Sequence, residues 1–235
     1  MRIYAVGDIH GRFDLLGEMH ERIMGEISRD RPGDWRIIYL GDYVDRGPQT
    51  NQVLEFLSEA TEAESRIITL AGNHDTGMID FLEAPGPDGI FARHGGDTTA
   101  RSYGVKLKFT TPRALLDGHA KLVRAIPEKH LAFLRGLPFS ASFGDLFFCH
   151  AGIRPGVPLE EQTNDDLTWI RGEFHDFLGL HPKLIIHGHT PKLAPEIWPN
   201  RVNLDTGAVN TGVLSCMRFE DTQKLLLQVS GRGGS

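Results

Sequence analysis

Short apolar runs rich in β-forming residues recur along the chain, and each leads directly into a cluster of glycine, aspartate, asparagine or histidine. Five such pairs occur: "RIYAV" before "GDIHG", "WRIIYL" before "GDYVDRG", "SRIITLA" before "GNHD", "DLFFC" before "HAG", and "KLII" before "HGHT". Runs of this length that end at turn-forming residues are typical of buried strands. The pattern therefore predicts five strands, each with polar side chains at its carboxyl end.

Amphipathic helices are predicted between several of these strands. In "FDLLGEMHERIMGEI" the apolar residues keep helical spacing, and "QVLEFLSEA" follows the second polar cluster. Strands that alternate with helices favour an α/β architecture. Because ligands of open α/β sheets collect at the carboxyl ends of the strands, we expect the five polar clusters to share one functional face.

The rest of the chain has a different pattern. Near the end, "RVNLDTGAV", "VLSCMRFE" and "KLLLQVS" read as an antiparallel meander, which predicts a second sheet packed against the first. Residues 77–142 are the least regular portion and are expected to supply helices and loops beside the functional face. Residues 230–235, which read "SGRGGS", are predicted to be a flexible tail. With no linker or repeat in between, residues 1–235 are expected to form a single domain.

Composition narrows the function classes. Of the 235 residues, 40% are hydrophobic and 24% are charged, which is typical of a folded globular protein. The net charge of −6 offers no broad basic field for a nucleic-acid backbone. Cys149 and Cys216 cannot form a disulfide framework, and no apolar run approaches the roughly 20 residues that span a bilayer. We expect a cytoplasmic protein without a nucleic-acid or membrane partner; the oligomeric state stays open.

The polar clusters supply a set of metal-binding side chains. Six oxygen and nitrogen donors, none of them a thiolate, lie at the predicted strand ends: Asp8, His10, Asp42, Asn73, His150 and His189. Such a mixed set suits Mn, Fe or Zn better than sulfur-seeking metals. Six ligands are too many for one catalytic ion with open positions, but they suit two ions that clamp a displacement at phosphorus. A carboxylate such as Asp42 could bridge the pair.

The order of the five motifs resembles that of the calcineurin-like metallophosphoesterases. More narrowly, "GDIHG", "GDYVDRG", "GNHD", "HAG" and "HGHT" are similar to those of the phosphoprotein phosphatase branch, whose bacterial and phage members are compact serine/threonine protein phosphatases. This resemblance implies a four-layer α/β/β/α sandwich of two mixed β-sheets flanked by helices. It also implies two divalent metal ions per chain, with Mn²⁺ favoured and Fe or Zn as alternatives.

Carried over by position, the resemblance assigns the metal ligands. Asp8 and His10 would hold the first ion, Asp42 would bridge, and the second ion would be held by Asn73, His150 and His189. Many metallophosphoesterases have a further ligating histidine where this chain has Pro191, and the protein phosphatase branch lacks it too. The role of His187 stays open: a residue of the strand end or its surroundings is favoured over a primary ligand.

The same resemblance assigns catalytic and phosphate-binding roles. His74, which follows the metal-binding asparagine, would protonate the leaving group, and Asp45 would orient and charge-stabilise it. Arg46 would bind phosphate oxygens through its forked donors. Arg171 in "DLTWIRGEF" resembles a second phosphate-binding arginine, with a solvated helix arginine as the rival interpretation.

Three functions are compatible with these residues. The favoured hypothesis is a serine/threonine protein phosphatase in which a metal-activated hydroxide attacks phosphorus directly. Activity on phosphotyrosine as well stays open. The second is a symmetrical dinucleoside tetraphosphate hydrolase: Asp75 in "GNHD" leaves it open, whereas Asp45 argues against it. The third is an inactive phosphatase-like binding module. A nuclease is possible on this fold but is not favoured by the acidic charge balance.

Substrate recognition depends on the middle segment. Residues 94–105, "HGGDTTARSYGV", resemble a loop of bacterial phosphatases and of tetraphosphate hydrolases and could shape the substrate face. The aromatic residues left for stacking on a nucleobase, Phe91, Tyr103 and Phe109, show no paired arrangement. We therefore expect a phosphoprotein or phosphopeptide substrate.

Overall fold

The computed structural model of the chain describes residues 1–231. Within them the chain forms ten strands: β1 (Arg2–Val6), β2 (Trp35–Tyr39), β3 (Ile67–Thr69), β4 (Ser140–Phe143), β5 (Leu146–Cys149), β6 (Leu184–His187), β7 (Glu196–Ile197), β8 (Arg201–Asn203), β9 (Val213–Glu220) and β10 (Gln223–Ser230). Beside a 3₁₀ turn at Leu159–Glu161, the helices are α1 (Phe13–Asp30), α2 (Thr50–Ala63), α3 (Asn73–Glu83), α4 (Ile90–Arg93), α5 (Gly96–Ser102), α6 (Pro112–Ala125), α7 (Glu128–Arg135), α8 (Asn164–Trp169), α9 (Gly172–His175) and α10 (Ala208–Thr211).

The strands form two mixed five-stranded sheets. The first has the order β10-β9-β1-β2-β3 and the second has the order β4-β5-β6-β8-β7. In the first sheet β1, β2 and β3 are parallel, and in the second β5, β6 and β8 are parallel. Helices flank both sheets, so the α/β fold class predicted from the sequence is confirmed.

Alternating side chains of each strand enter different layers. Between the sheets, Ile38 and Leu40 of the β2 region pack in one cluster with Phe148 and Ile186 of the second sheet. The intervening positions face the helices: Tyr39, for example, belongs to a cluster with residues of α1 and α2. Strands buried on both faces read as continuous apolar runs, which explains the pattern in the sequence.

Helix α1 shows how a helical stripe covers the first sheet. Its buried residues recur every three or four positions: Leu15, Leu16, Met19, Ile23 and Ile27. The helix ends at Arg31, which has a left-handed backbone with φ 49° and whose N–H donates to the carbonyl of Ile27. This cap satisfies one of the carbonyl groups left open at a helix end.

The predicted carboxy-terminal meander is only partly correct. β9 and β10 form an antiparallel hairpin, but they extend the first sheet, because β9 pairs with β1. β8 lies apart from them and pairs with β6 in the second sheet, parallel to it. Neighbouring runs in a sequence need not pair with each other, and long-range pairing leaves no trace in local periodicity.

The middle segment is largely helical. Most of residues 77–142 belong to helices α3 to α7, and only the end of the segment enters β4. Of the predicted tail, Ser230 lies in β10 and the N–H of Gly231 donates to Gly212, while residues 232–235 lie outside the described residues. In the described part of the chain, no helix combines the length and apolarity required to cross a membrane.

Candidate active site

The polar clusters meet where the carboxyl ends of both sheets come together. Within the first sheet, the N–H groups of Ile9 and His10 donate to the carbonyl of Asp42, at 3.2 and 2.8 Å. Within the second, the N–H of Gly188 donates to the carbonyl of His150 at 2.8 Å. The expectation of one shared functional face is met, but two sheets build it instead of one.

All six residues predicted as metal ligands lie in one continuous series of contacts. The backbone N–H of His189 lies 3.2 Å from both carboxylate oxygens of Asp8. The side-chain oxygen of Asn73 lies 3.0 Å from Nδ1 of His189 and 3.0 Å from Nε2 of His150. The remaining contacts run from His150 through Asp42 to His10.

Asp42 lies at the centre of this series and faces two ways. Its Oδ2 is 3.3 Å from Nε2 of His10, and its Oδ1 is 3.4 Å from Nε2 of His150. Two groups of three residues have donor atoms that all lie within 4.8 Å of one another, and Asp42 belongs to both. The first group adds His10 and His74, and the second adds His150 and His189. Two donors each about 2.1 Å from one ion lie about 3.0–3.4 Å apart, depending on coordination geometry.

The hydrogen bonds of two histidines are compatible with metal binding. Nδ1 of His10 lies 2.8 Å from the carbonyl oxygen of Val44, and Nδ1 of His150 lies 2.9 Å from that of Leu40. A carbonyl oxygen only accepts, so each Nδ1 carries a proton, and Nε2 of each ring faces Asp42. A second nitrogen bound to a carbonyl is typical of metal-binding histidines.

The charges of the buried groups point the same way. Burial alone would raise the pKa of Asp42, but His150 and His74 hold it well below its usual range. Burial likewise lowers the pKa of His150, yet Asp42 and Asp8 outweigh it and raise that pKa to about 10. The carboxylates thus favour positive charge at this position, which divalent ions would supply. The donor set fits two such ions.

His74 forms a pair with a buried carboxylate beside this centre. Its Nδ1 donates to Oδ2 of Asp45 at 2.7 Å, and Asp45 is fully buried. Thr99 completes the arrangement, because its hydroxyl donates to Oδ1 of Asp45 at 3.0 Å and accepts from the Asp45 N–H at 2.8 Å. Burial raises the pKa of Asp45 to about 6, and the bonds from His74 and Thr99 work against that rise. The pair fixes the ring with Nε2 turned away from Asp45.

Two exposed arginines flank the centre. The guanidinium of Arg46 donates to Nε2 of His74 at 2.9 Å, and Nε of Arg171 donates to Nε2 of His189 at 3.0 Å. Both predicted phosphate-binding residues therefore reach the site from the side that is exposed to solvent, which is called its open side. Two guanidinium groups around a metal-binding centre suit a tetrahedral oxyanion such as phosphate.

Backbone strain is concentrated at the site. Seven non-glycine residues have positive φ among those described, and five of them are predicted site residues: His10, Asp42, Asp45, Arg46 and His189. Each such conformation is unfavourable for a residue with a Cβ atom. Strain of this kind persists only where the surrounding structure enforces it, and it is common at functional sites.

Close backbone approaches also define the centre. A Cβ added at Gly72 would come within 2.2 Å of Oδ1 of Asp42, and one at Gly188 within 2.1 Å of Oδ1 of Asp8. Only glycine fits where these carboxylates approach the chain.

His187 lies just before Gly188 but belongs to neither group of possible ligands. Its ring packs against Phe174 and His175.

Asp75 was missed as a structural member of the site. Its carboxylate accepts from the N–H groups of Asp42 at 2.8 Å, Tyr43 at 2.9 Å and Gly72 at 2.9 Å. It thereby joins the loop after β2 to the loop before α3. Its position three residues after Gly72 is where helix-capping acidic residues occur, so the spacing could have indicated it.

Two exposed rings near the site were also missed. Trp169 is 46% exposed, and its ring centroid lies 6.3 Å from that of His189. His94 is exposed, with its centroid 6.3 Å from that of His74. Of the aromatics that the sequence offered instead, Phe91 is buried and stacked on Phe81. The sequence placed His94 in the segment 94–105 that was expected to shape the substrate face, and Trp169 two residues before Arg171, but no local pattern indicated either ring itself.

Sequence comparison finds relatives over almost the whole chain. Residues 1–207 match the family model described as calcineurin-like phosphoesterase. A protein of Geobacillus sp. (strain WCH70), named as an asymmetrical bis(5'-nucleosyl)-tetraphosphatase, PrpE, is 26% identical over 246 residues. That alignment covers 96% of this chain and 93% of the relative.

Solved structures share the fold at lower identity. A chain provisionally described as a diadenosine tetraphosphatase has a TM-score of 0.70 at 20% identity, covering 99% of this chain and 95% of that one. A protein serine/threonine phosphatase of Saccharomyces cerevisiae, with similarity to human phosphatase PP5, has a TM-score of 0.53 at 12% identity, covering 100% and 81%. Both likenesses concern the fold alone.

Proposed function

This chain belongs to the calcineurin-like phosphoesterases, and from that premise we propose that it is a metal-dependent phosphatase of phosphoserine and phosphothreonine in proteins. The observation that carries the proposal is the pair formed by His74 and the buried Asp45, with Nδ1 and Oδ2 2.7 Å apart. A serine or threonine alkoxide leaves poorly without a proton, so a positioned donor accelerates this reaction strongly. A nucleotide leaving group is acidic enough to need it less.

The proposed roles follow from the contacts. Arg46 and Arg171 bind phosphate oxygens from the open side, and Arg46 lies 2.9 Å from Nε2 of His74, so the bound ester is held close to that nitrogen. Once protonated, Nε2 donates to the leaving oxygen, while Asp45 stabilises the charge of the ring. Divalent ions, for which we propose Mn²⁺, would lower the pKa of water and neutralise phosphate charge. The six contiguous donors described above would hold them.

A second candidate is hydrolysis of a dinucleoside tetraphosphate. The name of the Geobacillus relative supports it. So does Trp169, because an exposed indole beside His189 offers a stacking surface for a nucleobase that the sequence had not indicated. Release of a nucleoside monophosphate and a triphosphate would match an asymmetrical enzyme, whereas two diphosphates would match the symmetrical alternative.

The test of the proposal uses the leaving-group dependence of His74→Asn. On phosphoserine peptides the variant should lose about 10²–10⁴-fold in rate, and on 4-nitrophenyl phosphate much less, because the phenolate leaves unprotonated. His119→Asn is the matched control, since His119 bonds the carbonyl of Leu82 at the far end of α3. Equal losses on both substrates would show that His74 only positions the site.

The substrate class is decided by a side-by-side assay of the manganese-loaded protein. We expect kcat/KM on phosphopeptides to exceed that on diadenosine tetraphosphate, with little dependence on peptide sequence. A tenfold preference for the tetraphosphate, about 1.4 kcal/mol in transition-state binding, would replace the first candidate by the second.

A further inference from the structure

His94 occupies a segment that is fixed to the catalytic loop at two points. It follows α4, and its N–H donates to the carbonyl of Ile90. The next residue, Gly95, has φ 105°, and a Cβ there would lie 2.5 Å from the backbone nitrogen of Arg46. Five residues after His94, Thr99 bonds the carboxylate of Asp45. The position of His94 relative to the catalytic pair is thus set by packing and hydrogen bonding.

The side chain of His94 lies on the open side of His74. Two histidine rings contact His74 edge-on: His10 at a centroid distance of 4.7 Å and His94 at 6.3 Å. His10 is buried with the metal-binding groups, whereas His94 is exposed. Of the two rings beside His74, that of His94 is therefore the one in contact with solvent.

The surroundings of His94 favour negative charge. Partial burial lowers the pKa of His94, and His74, Arg46 and Arg93 lower it further because each carries or can carry positive charge. A ligand anion beside the ring would be attracted by the same groups. The ring N–H can donate a hydrogen bond to it, and such bonds to ionised acceptors are stronger than neutral ones.

We propose that His94 binds the leaving group and selects substrates in which that group carries a second anion close to the scissile oxygen. The inference rests on the proposed role of His74, which places the leaving group on this side. The anion could be a phosphate of a polyphosphate chain or a carboxylate beside a phosphoserine. Both offer the same chemistry to the ring, and the experiment separates them.

A matched pair of esters tests the proposal: 3-carboxyphenyl phosphate and 3-carbamoylphenyl phosphate differ in charge but hardly in size. We expect kcat/KM to favour the carboxylate about fivefold in the wild type, as one charge-assisted hydrogen bond allows. His94→Ala should reduce this preference to less than about twofold, and His94→Gln, which keeps a donor, should retain part of it. Arg101→Gln serves as control, because Arg101 pairs with Asp97 on the same segment.

The outcomes separate the sources and the hypotheses. A loss in His94→Ala confined to diadenosine tetraphosphate assigns a polyphosphate, and one confined to phosphoserine peptides with a neighbouring aspartate assigns a carboxylate. An unchanged ester preference in His94→Ala, or an equal effect of Arg101→Gln, overturns the inference. A wild type that hydrolyses both esters equally overturns the inference alone, whereas a metal-loaded wild type inactive on every phosphate ester overturns the proposed function.

Discussion

Replacing Asp75 by asparagine should destabilise the protein and weaken metal binding together. The carboxylate of Asp75 accepts three hydrogen bonds from backbone N–H groups. Oδ2 accepts from Asp42 and Gly72, and Oδ1 accepts from Tyr43. In the variant, the side-chain amide keeps two of the three hydrogen bonds if its oxygen takes the Oδ2 position, so this orientation is favoured. The amide nitrogen then faces the N–H of Tyr43, which becomes a buried donor without an acceptor.

The expected cost follows from this count. One unsatisfied buried N–H costs about 1–3 kcal/mol, and the two surviving bonds lose their ionised acceptor, so we expect about 3 kcal/mol in the free energy of unfolding. For a domain of this size that corresponds to a fall in Tm of about 6–12 °C. Because Asp75 holds the loops of Asp42 and Asn73, metal affinity should also fall by about 10–100-fold.

The assay is thermal unfolding, followed in excess EDTA and again in excess Mn²⁺, with metal affinity measured by calorimetry. It is run at pH 8, because burial and the charge of Asp42 raise the pKa of Asp75 to about 7. Asp80→Asn makes the same chemical change at an exposed position of α3 and should shift the unfolding free energy by less than about 0.5 kcal/mol. An Asp75→Asn protein with the Tm and metal affinity of the wild type would refute this reasoning.

The remaining predictions concern metal, catalysis and packing. Exhaustive chelation should abolish hydrolysis of 4-nitrophenyl phosphate and added Mn²⁺ should restore it; full activity of a protein shown metal-free by elemental analysis would contradict the two-ion centre. Thr99→Val removes the hydroxyl bonded to Asp45 and should lower kcat about tenfold with little change in KM, since it disturbs the proton donor and not phosphate binding. Steady-state kinetics on a phosphoserine peptide measure both constants, and a change in KM alone would argue against this role of Thr99. Gly188→Ala should reduce the metal affinity measured by calorimetry, because the new Cβ would lie 2.1 Å from Oδ1 of Asp8. Gly86→Ala is the control and should not reduce it, because Gly86 has open space around it. Equal metal affinities of Gly188→Ala and the wild type would show that the loop moves aside.

The strands that carry the site were predictable because their information is local. β1, β2, β3, β5 and β6 are apolar runs that end at turn-forming residues, and the structure forms a strand at each. The assignment of strands to sheets was not predictable. β8 and β9 follow each other closely in the sequence yet enter different sheets, since their partners β6 and β1 are set by long-range packing.

The same distinction divides the site residues. The resemblance of "GDYVDRG" and "GNHD" to the family motifs indicated Asp45 and His74, and the structure brings them into contact. Thr99 lies 54 positions from Asp45, within the segment 94–105 that was expected to shape the substrate face, but only the folded chain shows their hydrogen bond. Trp169 likewise reaches His189 from a separate helix. The residues that orient the chemistry or meet the substrate are therefore harder to predict than the residues within the motifs.

The left-handed residues at the site bear on how this chain could change during evolution. Glycine adopts positive φ without the penalty of about 1 kcal/mol or more that other residues incur, so mutation to glycine at Arg46, which is exposed, would relieve strain. Selection for stability alone would favour that exchange. At the buried Asp45 the same exchange would leave the groups of His74 and Thr99 without their acceptor, so strain there is held in place by hydrogen bonds. A relative with glycine in place of Arg46 would be expected to melt at a higher temperature and to bind phosphate less tightly.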